Sequence, residues 1–220
     1  MKSLIHSLKP AKAQSVWYDY YEETILSNAY LQAKLLLVKD WIKEMDGNTA
    51  IDIGTNTGVF AIAAAERFKL VIATDNDDRC INDLYLKCKA EAIKTVLPLC
   101  LDIANPTPGI GWVNKEREAF LSRTGVDLIM ALAVIHHLVI GRNISLCQVA
   151  ALFSRLGRYA IVEFVPKSDP KVLEMMKNRE DIFHDYDEER FEQCFAEYFT
   201  IVSKQKISGT ERVLFLMKKR

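Results

Sequence analysis

The 220-residue chain carries 29 Lys and Arg against 29 Asp and Glu, and half of it is apolar. That length suffices for one sizeable α/β domain with a small appendage and argues against two full domains. The balanced charge excludes a global field that would draw the chain to nucleic acid or to an acidic membrane surface, leaving room only for a local basic groove.

Cys80, Cys88, Cys100, Cys147 and Cys194 are odd in number and form no C-x-x-C pair. This pattern argues against a disulfide framework and against a zinc site, and it suits a reducing cytoplasm. The N-terminus lacks the apolar core of a signal peptide. The longest apolar run, Ile129 to Ile135, is far short of the ~20 residues that span a bilayer, so a soluble protein is expected.

In chain order, residues 1–47 read as an N-terminal helical cap and residues 48–220 as the main domain. From Ser15 the cap is rich in aromatics, Trp17, Tyr18, Tyr20, Tyr21 and Tyr30, and it continues as an amphipathic helix through Leu31, Leu35, Val38 and Ile42. The aromatic half reads either as core packing or as a lid over a ligand site. Strands are expected near 49–53, 70–74, 95–101, 126–132, 158–165, 198–206 and 211–218, with helices between most of them. Such alternation implies a doubly wound, mostly parallel sheet covered on both faces. Asp77 and Asp78 sit where a helix N-terminus would favour negative charge. Cys80, Ile81, Leu84 and Cys88 follow at helical spacing, so these two thiols should face the core. Ser208-Gly209 permits a closing antiparallel hairpin.

The most informative stretch is residues 50–58, AIDIGTNTG, a buried strand turning into a helix over a tight loop. The glycine spacing is G-x-x-x-G. A dinucleotide fingerprint would read G-x-G-x-x-G, and no lysine follows Gly58 as a phosphate-binding P-loop requires. The loop therefore suits a ligand with an adenosine but no phosphates. Asp75 ends the second apolar strand about 20 residues past the first glycine, the separation at which a carboxylate meets ribose hydroxyls.

At these residues, and from about Asn48 to the C-terminus, the chain resembles the class I, seven-stranded S-adenosylmethionine-dependent methyltransferases. The resemblance implies S-adenosylmethionine as cofactor. It implies a first loop cradling the methionine moiety, the acid after the second strand on the ribose, and an acid after the third strand at the adenine amine. Carried onto this sequence, the cofactor contacts are Asp52, Gly54, Thr55, Asn56, Gly58, Asp75, Asp102 and Ile103. The family's usual loop has a glycine at the middle position, where Asn56 stands here. Residues before the first strand often form a lid in this family, which would bring Lys34 toward the cofactor carboxylate. Segments 102–106, 111–112, 131–138 and 163–167 are similar to a narrower bacterial subgroup, some of whose members are labelled nodulation-related.

Methyl transfer from a sulfonium asks the protein for in-line positioning, exclusion of water and, for a hydroxyl or protonated amine, a base. Open α/β sheets place such groups at the C-terminal ends of strands. His136 and His137 follow the fourth strand there. Read as an extended segment, they point oppositely, so only one faces a pocket, His137 ahead of His136. Both also have a structural reading, bonding the loop or capping the helix that follows. Glu163 lies within or at the end of the fifth strand, where an unpaired acid is costly; it is a site candidate or half of an ion pair with Lys167 or Arg158. No metal role is expected, because no further ligand stands at suitable spacing. Asn105-Pro106 reads as a turn, and Trp112 and Glu116-Arg117 either line the pocket or anchor their loop.

The expected function is an S-adenosylmethionine-dependent methyltransferase acting on a small molecule. The alternatives are an RNA or protein acceptor, a catalytically silent cofactor-binding protein, and a nicotinamide-dependent oxidoreductase, which the glycine spacing disfavours. Nothing in the residues fixes the oligomeric state.

Overall fold

The computed structural model describes residues 28–220. Helix α1 (Asn28–Lys43) presents Tyr30, Lys34, Val38 and Ile42 at four-residue intervals, one buried stripe facing the body of the protein. After it come β1 (Thr49–Ile53), α2 (Val59–Ala65), β2 (Leu70–Asp75), α3 (Asp78–Ala90) and β3 (Val96–Cys100). A short 3₁₀ turn (Trp112–Asn114) and α4 (Phe120–Arg123) lead to β4 (Val126–Ala131), then a π-helix (His137–Gly141) and α5 (Leu146–Leu156). The chain ends in β5 (Gly157–Phe164), α6 (Pro170–Met176), α7 (Glu188–Ala196), β6 (Phe199–Lys206) and β7 (Val213–Lys219).

The seven strands form one sheet in the order β3-β2-β1-β4-β5-β7-β6. Strands β1 to β5 are parallel, and β7 runs antiparallel to both neighbours, inserted between β5 and β6. The central strands read as near-continuous apolar runs because both faces are covered. Ile51, Ile53 and Ile129 join the core on one side of the sheet, and Ala50, Leu128 and Met130 join that on the other. The order in which successive strands are added reverses at β1, with β2 and β3 to one side and β4 and β5 to the other. That is the switch point where loops diverge and leave a crevice above the strand ends.

Local chemistry sets the element boundaries. Asp77 caps α3 by accepting from Arg79 and Cys80 N–H, and Asp78 stands in its first turn, the acidic start that the sequence led one to expect. Ser145 and Gln148 form a reciprocal capping box at the start of α5, the role considered above for the histidines. Cys80, Ile81, Leu84 and Cys88 are buried together on α3. The β6–β7 connection turns through Gly209 at φ 79°.

Two expectations are corrected. Cys147 and Cys194 are joined in a disulfide that ties α5 to α7. An odd cysteine count has no bearing on a pair brought together across a sequence separation of 47. The chain after β4 is also not extended: His136 has helical φ/ψ and His137 opens the π-helix, so their rings lie side by side, tilted at 40° with centroids 4.1 Å apart, instead of pointing oppositely. No helix among the described residues is long and apolar enough to cross a membrane. The aromatics Trp17, Tyr18, Tyr20 and Tyr21, which carry the lid reading, lie outside the described residues.

Candidate active site

A cavity of about 440 Å³ opens above the C-terminal ends of β1 to β4. This lies in the ~300–1,000 Å³ range of small-molecule sites. Its first wall is the loop after β1. Gly54 and Thr55 N–H both bond the Thr74 carbonyl, at 2.8 and 2.9 Å, which ties the loop to the end of β2. Gly54 has φ 71°, and a Cβ there would lie 2.5 Å from Val134 Cγ2, so glycine is required by conformation and by space. Asn56 takes φ 50° at the position where the related loops have glycine. Asparagine is among the few side chains that enter the left-handed region readily, so the turn survives the replacement.

The same loop sets Asp75. Asn56 N–H donates to one carboxylate oxygen at 2.8 Å and Asp77 N–H to the other at 3.0 Å. Each oxygen keeps a lone pair, and the carboxylate lines the cavity. Burial pushes its pKa up from the ordinary value, against the pull of these backbone donors.

Asp52, Thr55 and Gly58, expected as cofactor contacts, stand behind the loop and not on the cavity wall. Asp52 is buried and accepts from Thr55 Oγ1 at 2.7 Å, and burial raises its pKa to about 7. Gly58 caps α2 at φ 82°, and a Cβ there would meet Leu84 Cδ1 at 2.3 Å. All three shape the loop from within.

At the end of β3, Asp102 and Ile103 line the cavity as expected. Asp102 accepts from Ala104 N–H at 2.9 Å and pairs with Arg142 at 2.9 Å. After β4, Leu132, Ala133 and Val134 complete the inner wall. Ala133 is held at φ 60°, a sparsely populated conformation costing roughly 1–3 kcal/mol, of the kind that clusters at functional sites. His137 faces the cavity, and burial first, then the nearby Arg212 guanidinium, lowers its pKa to about 4. It is therefore a neutral imidazole at pH 7. His136 is 1% exposed and does not reach the cavity; its Nδ1 has no hydrogen-bond partner among the described residues, and burial pulls its pKa well below the ordinary value.

Glu163 does not line the cavity either. It is fully buried on β5 and anchors a network that neither expected partner, Lys167 or Arg158, joins. Lys34 of α1 pairs with it at 2.6 Å, and Tyr30 OH donates to it at 2.5 Å. Arg212 reaches Tyr30 OH at 2.9 Å and Glu163 at 3.5 Å, and grips Asp169 with two bonds of 2.7 and 3.0 Å. Burial alone would raise the Glu163 pKa, but the two cations outweigh it and hold the carboxylate ionised. Lys34 belongs to both regions, since it also lines the cavity floor.

The sequence reading missed Asn76, Gly141, Arg142, Met175 and Arg179, all of which face the cavity. Asn76 was within reach, being next to Asp75. The others come from the π-helix end and from α6 with the loop after it, and no periodicity or spacing points to them.

The sheet order and the site at its switch point define the class: the chain has the fold of the seven-stranded, class I S-adenosylmethionine-dependent methyltransferases. It superposes on magnesium protoporphyrin IX methyltransferase of Synechocystis PCC 6803 with bound cofactor, at a TM-score of 0.61, 15% identity, and coverage of 93% of this chain and 89% of that one. It matches the N-methyltransferase NodS of Bradyrhizobium japonicum WM9 at a TM-score of 0.61, 13% identity, over 88% of this chain and 98% of that one. A methyltransferase from Clostridium acetobutylicum ATCC 824 gives 0.60 at 14% identity, covering 99% and 98%. In sequence, the chain is 36% identical over 203 residues to nodulation protein NoeA of Rhizobium meliloti strain 1021. The match covers 92% of this chain but only 42% of NoeA, so the chain spans less than half of that relative. No family model matches the chain.

Proposed function

We propose that the chain is an enzyme that transfers a methyl group from S-adenosylmethionine to a small-molecule acceptor. The observation that carries this reading is the convergence of Gly54, Asn56, Asp75, Asp102 and Ile103, from three successive strand ends, on one cavity with His137 on its fourth side. The fold likeness to methyltransferases, one of them with the cofactor bound, supports it. So does the size of the cavity, which suits small molecules.

The donor set fits this cofactor. Asp75, oriented by two backbone N–H groups, offers its remaining lone pairs to a pair of ribose hydroxyls. Asp102 can accept from an adenine amine, and Ile103 gives that end an apolar wall. Gly54 and Asn56 border the methionine moiety, and Asp52, Thr55 and Gly58 position the loop from behind. The bound cofactor would supply the activated methyl group and its leaving sulfur. His137 then accepts a hydrogen bond from the attacking group and takes its proton as the new bond forms. With a pKa near 4 it is a weak base, so orienting the nucleophile is the larger part of its role. His136 packs against the His137 ring in a tilted contact, and Glu163 positions Lys34 under the cavity. Helix α1 borders this end of the sheet through Lys34.

Calorimetric titration tests the reading first. S-adenosylmethionine and its demethylated product should bind, and NADH should not. Incubation with a methyl-labelled donor and a metabolite extract should then move label into the small-molecule fraction. Failure of both adenosyl ligands to bind would overturn the proposal, and label appearing only in RNA or protein would reassign the acceptor.

A further inference from the structure

The cations on the cavity wall are each matched by a carboxylate, with one exception. Lys34 is neutralised by Glu163 and Arg142 by Asp102. Arg179 also lines the cavity, and among the described residues no carboxylate lies within ion-pair distance of it. Its guanidinium is held from one side only: Nη1 donates to the Ile140 carbonyl at 2.8 Å, near the end of the π-helix. That bond fixes one edge of the planar group and leaves its other donors free to turn toward the cavity. Arg142 is two residues along from Ile140. Its pairing with Asp102 is partly solvated, the two side chains being 52% and 32% exposed, and an ion pair of that kind is worth only ~0–1 kcal/mol. Arg142 can therefore share its guanidinium at little cost. Met175 Cε lies 3.7 Å from where a Cβ on Gly141 would stand, which packs α6 against the π-helix end and holds the two arginines on one rim.

We propose that this rim is the recognition site for an oxyanion on the methyl acceptor, a carboxylate or phosphate group, bound by Arg179 with Arg142 as its second cation. The inference rests on the methyltransferase reading for the word acceptor, but not for the anion site itself. His137 and Arg142 stand at opposite ends of the π-helix turn. A small acceptor can thus anchor its anionic end on the rim while its nucleophilic atom meets His137. A planar guanidinium favours such groups because it can donate two parallel bonds. Leu138 and Met175, beside the rim, would cover the body of the molecule.

The test uses the full chain loaded with S-adenosylhomocysteine, titrated separately with inorganic phosphate and with acetate and followed by NMR chemical shifts. At least one anion should saturate residues of the π-helix end, and the stronger of the two identifies the group. Arg179→Gln should weaken that binding by about tenfold or more, the scale of one charge-assisted bond, and Arg179→Lys should recover part of it. S-adenosylhomocysteine affinity, measured in parallel, should stay within about twofold in both variants, since no cofactor contact is assigned to Arg179. Equal anion affinity in wild type and Arg179→Gln overturns the proposal, as does the absence of any saturable shift. A tenfold loss of S-adenosylhomocysteine binding in Arg179→Gln overturns it differently, by giving the arginine to the cofactor. If wild type binds no S-adenosylhomocysteine, the methyltransferase reading fails, and the same anion titrations on the unloaded chain still decide the arginine site.

Discussion

Lys34 stands at the border between two polar regions built on different physics. Above it, the cavity wall is made of neighbours in sequence: Gly54, Asn56 and Asp75 are set by backbone N–H groups and left-handed turns within two short loops. Below it, Tyr30, Glu163, Asp169 and Arg212 come from four distant parts of the chain and bond one another through their side chains away from solvent, with Asp169 also accepting from Lys171 N–H. The upper region keeps lone pairs and donors available. The lower one uses them up. An isolated buried charge is costly, so each member of the lower cluster is tolerable only while its partners are present. The comparison shows that a polar residue in an apolar strand, such as Glu163, signals either a site or a clamp, and only the partners decide which.

The lower region should be the more fragile. Glu163→Ala leaves Lys34 and Arg212 buried without their shared counter-ion, and breaking a buried pair in this way costs about 3–5 kcal/mol. Urea denaturation should register that loss. A change below about 1 kcal/mol would mean the cluster is solvated and the contrast false.

The upper region should instead fail in function while remaining folded. General-base and positioning residues contribute ~100-fold to 10,000-fold, and the low pKa of His137 places it at the lower end. Once an acceptor is found, His137→Ala should cut kcat about a hundredfold with an unchanged melting temperature. Near-wild-type turnover would make it structural. Asp75→Ala should weaken S-adenosylmethionine binding at least about tenfold in calorimetry, from losing bonds to a charged group. Unchanged affinity would remove it from the site.

The smallest effect sharpens the line between the regions. Asp52 is the one buried acid behind the loop whose pKa is raised, to about 7 from 3.8. Between these values the folded chain holds a proton that the unfolded chain has lost, so this group's contribution to stability is full below about pH 4, declines as pH rises through that window and is gone above about pH 7. Asp52→Asn removes the titration. Its melting temperature relative to wild type should be highest near pH 8 and the difference should shrink toward pH 4. A pH-independent difference would show that burial does not raise the Asp52 pKa.

Much of the upper region was legible because its constraints are local. The G-x-x-x-G spacing, the acid after each strand and the apolar runs fixed five of the eight expected cofactor positions on the cavity wall and all seven strands to within about two residues. Asp52, Thr55 and Gly58 were found as part of the motif, yet the motif does not say which of its residues face outward. The lower region was illegible for the opposite reason. Tyr30 and Arg212 are 182 positions apart, and nothing in either neighbourhood announces the other. The pairing of Cys147 with Cys194 and the approach of Arg179 to Ile140 are long-range in the same sense, set by how α5, α6 and α7 pack.

The π-helix after β4 gives the molecule a particular kind of editability. A π turn holds one more residue than an α turn, an arrangement that recurs at functional positions. Removing a single residue between His137 and Gly141 would let the segment close as an ordinary turn. The side chains between the deletion and the end of that turn would then swing by about 100° around the axis, carrying the Arg142 end away from its present bearing on the cavity. Strand β4 and the capping box of α5 lie outside the edited turn and would be untouched. The direction in which the rim faces is thus a one-residue variable, separable from the sheet that supports it.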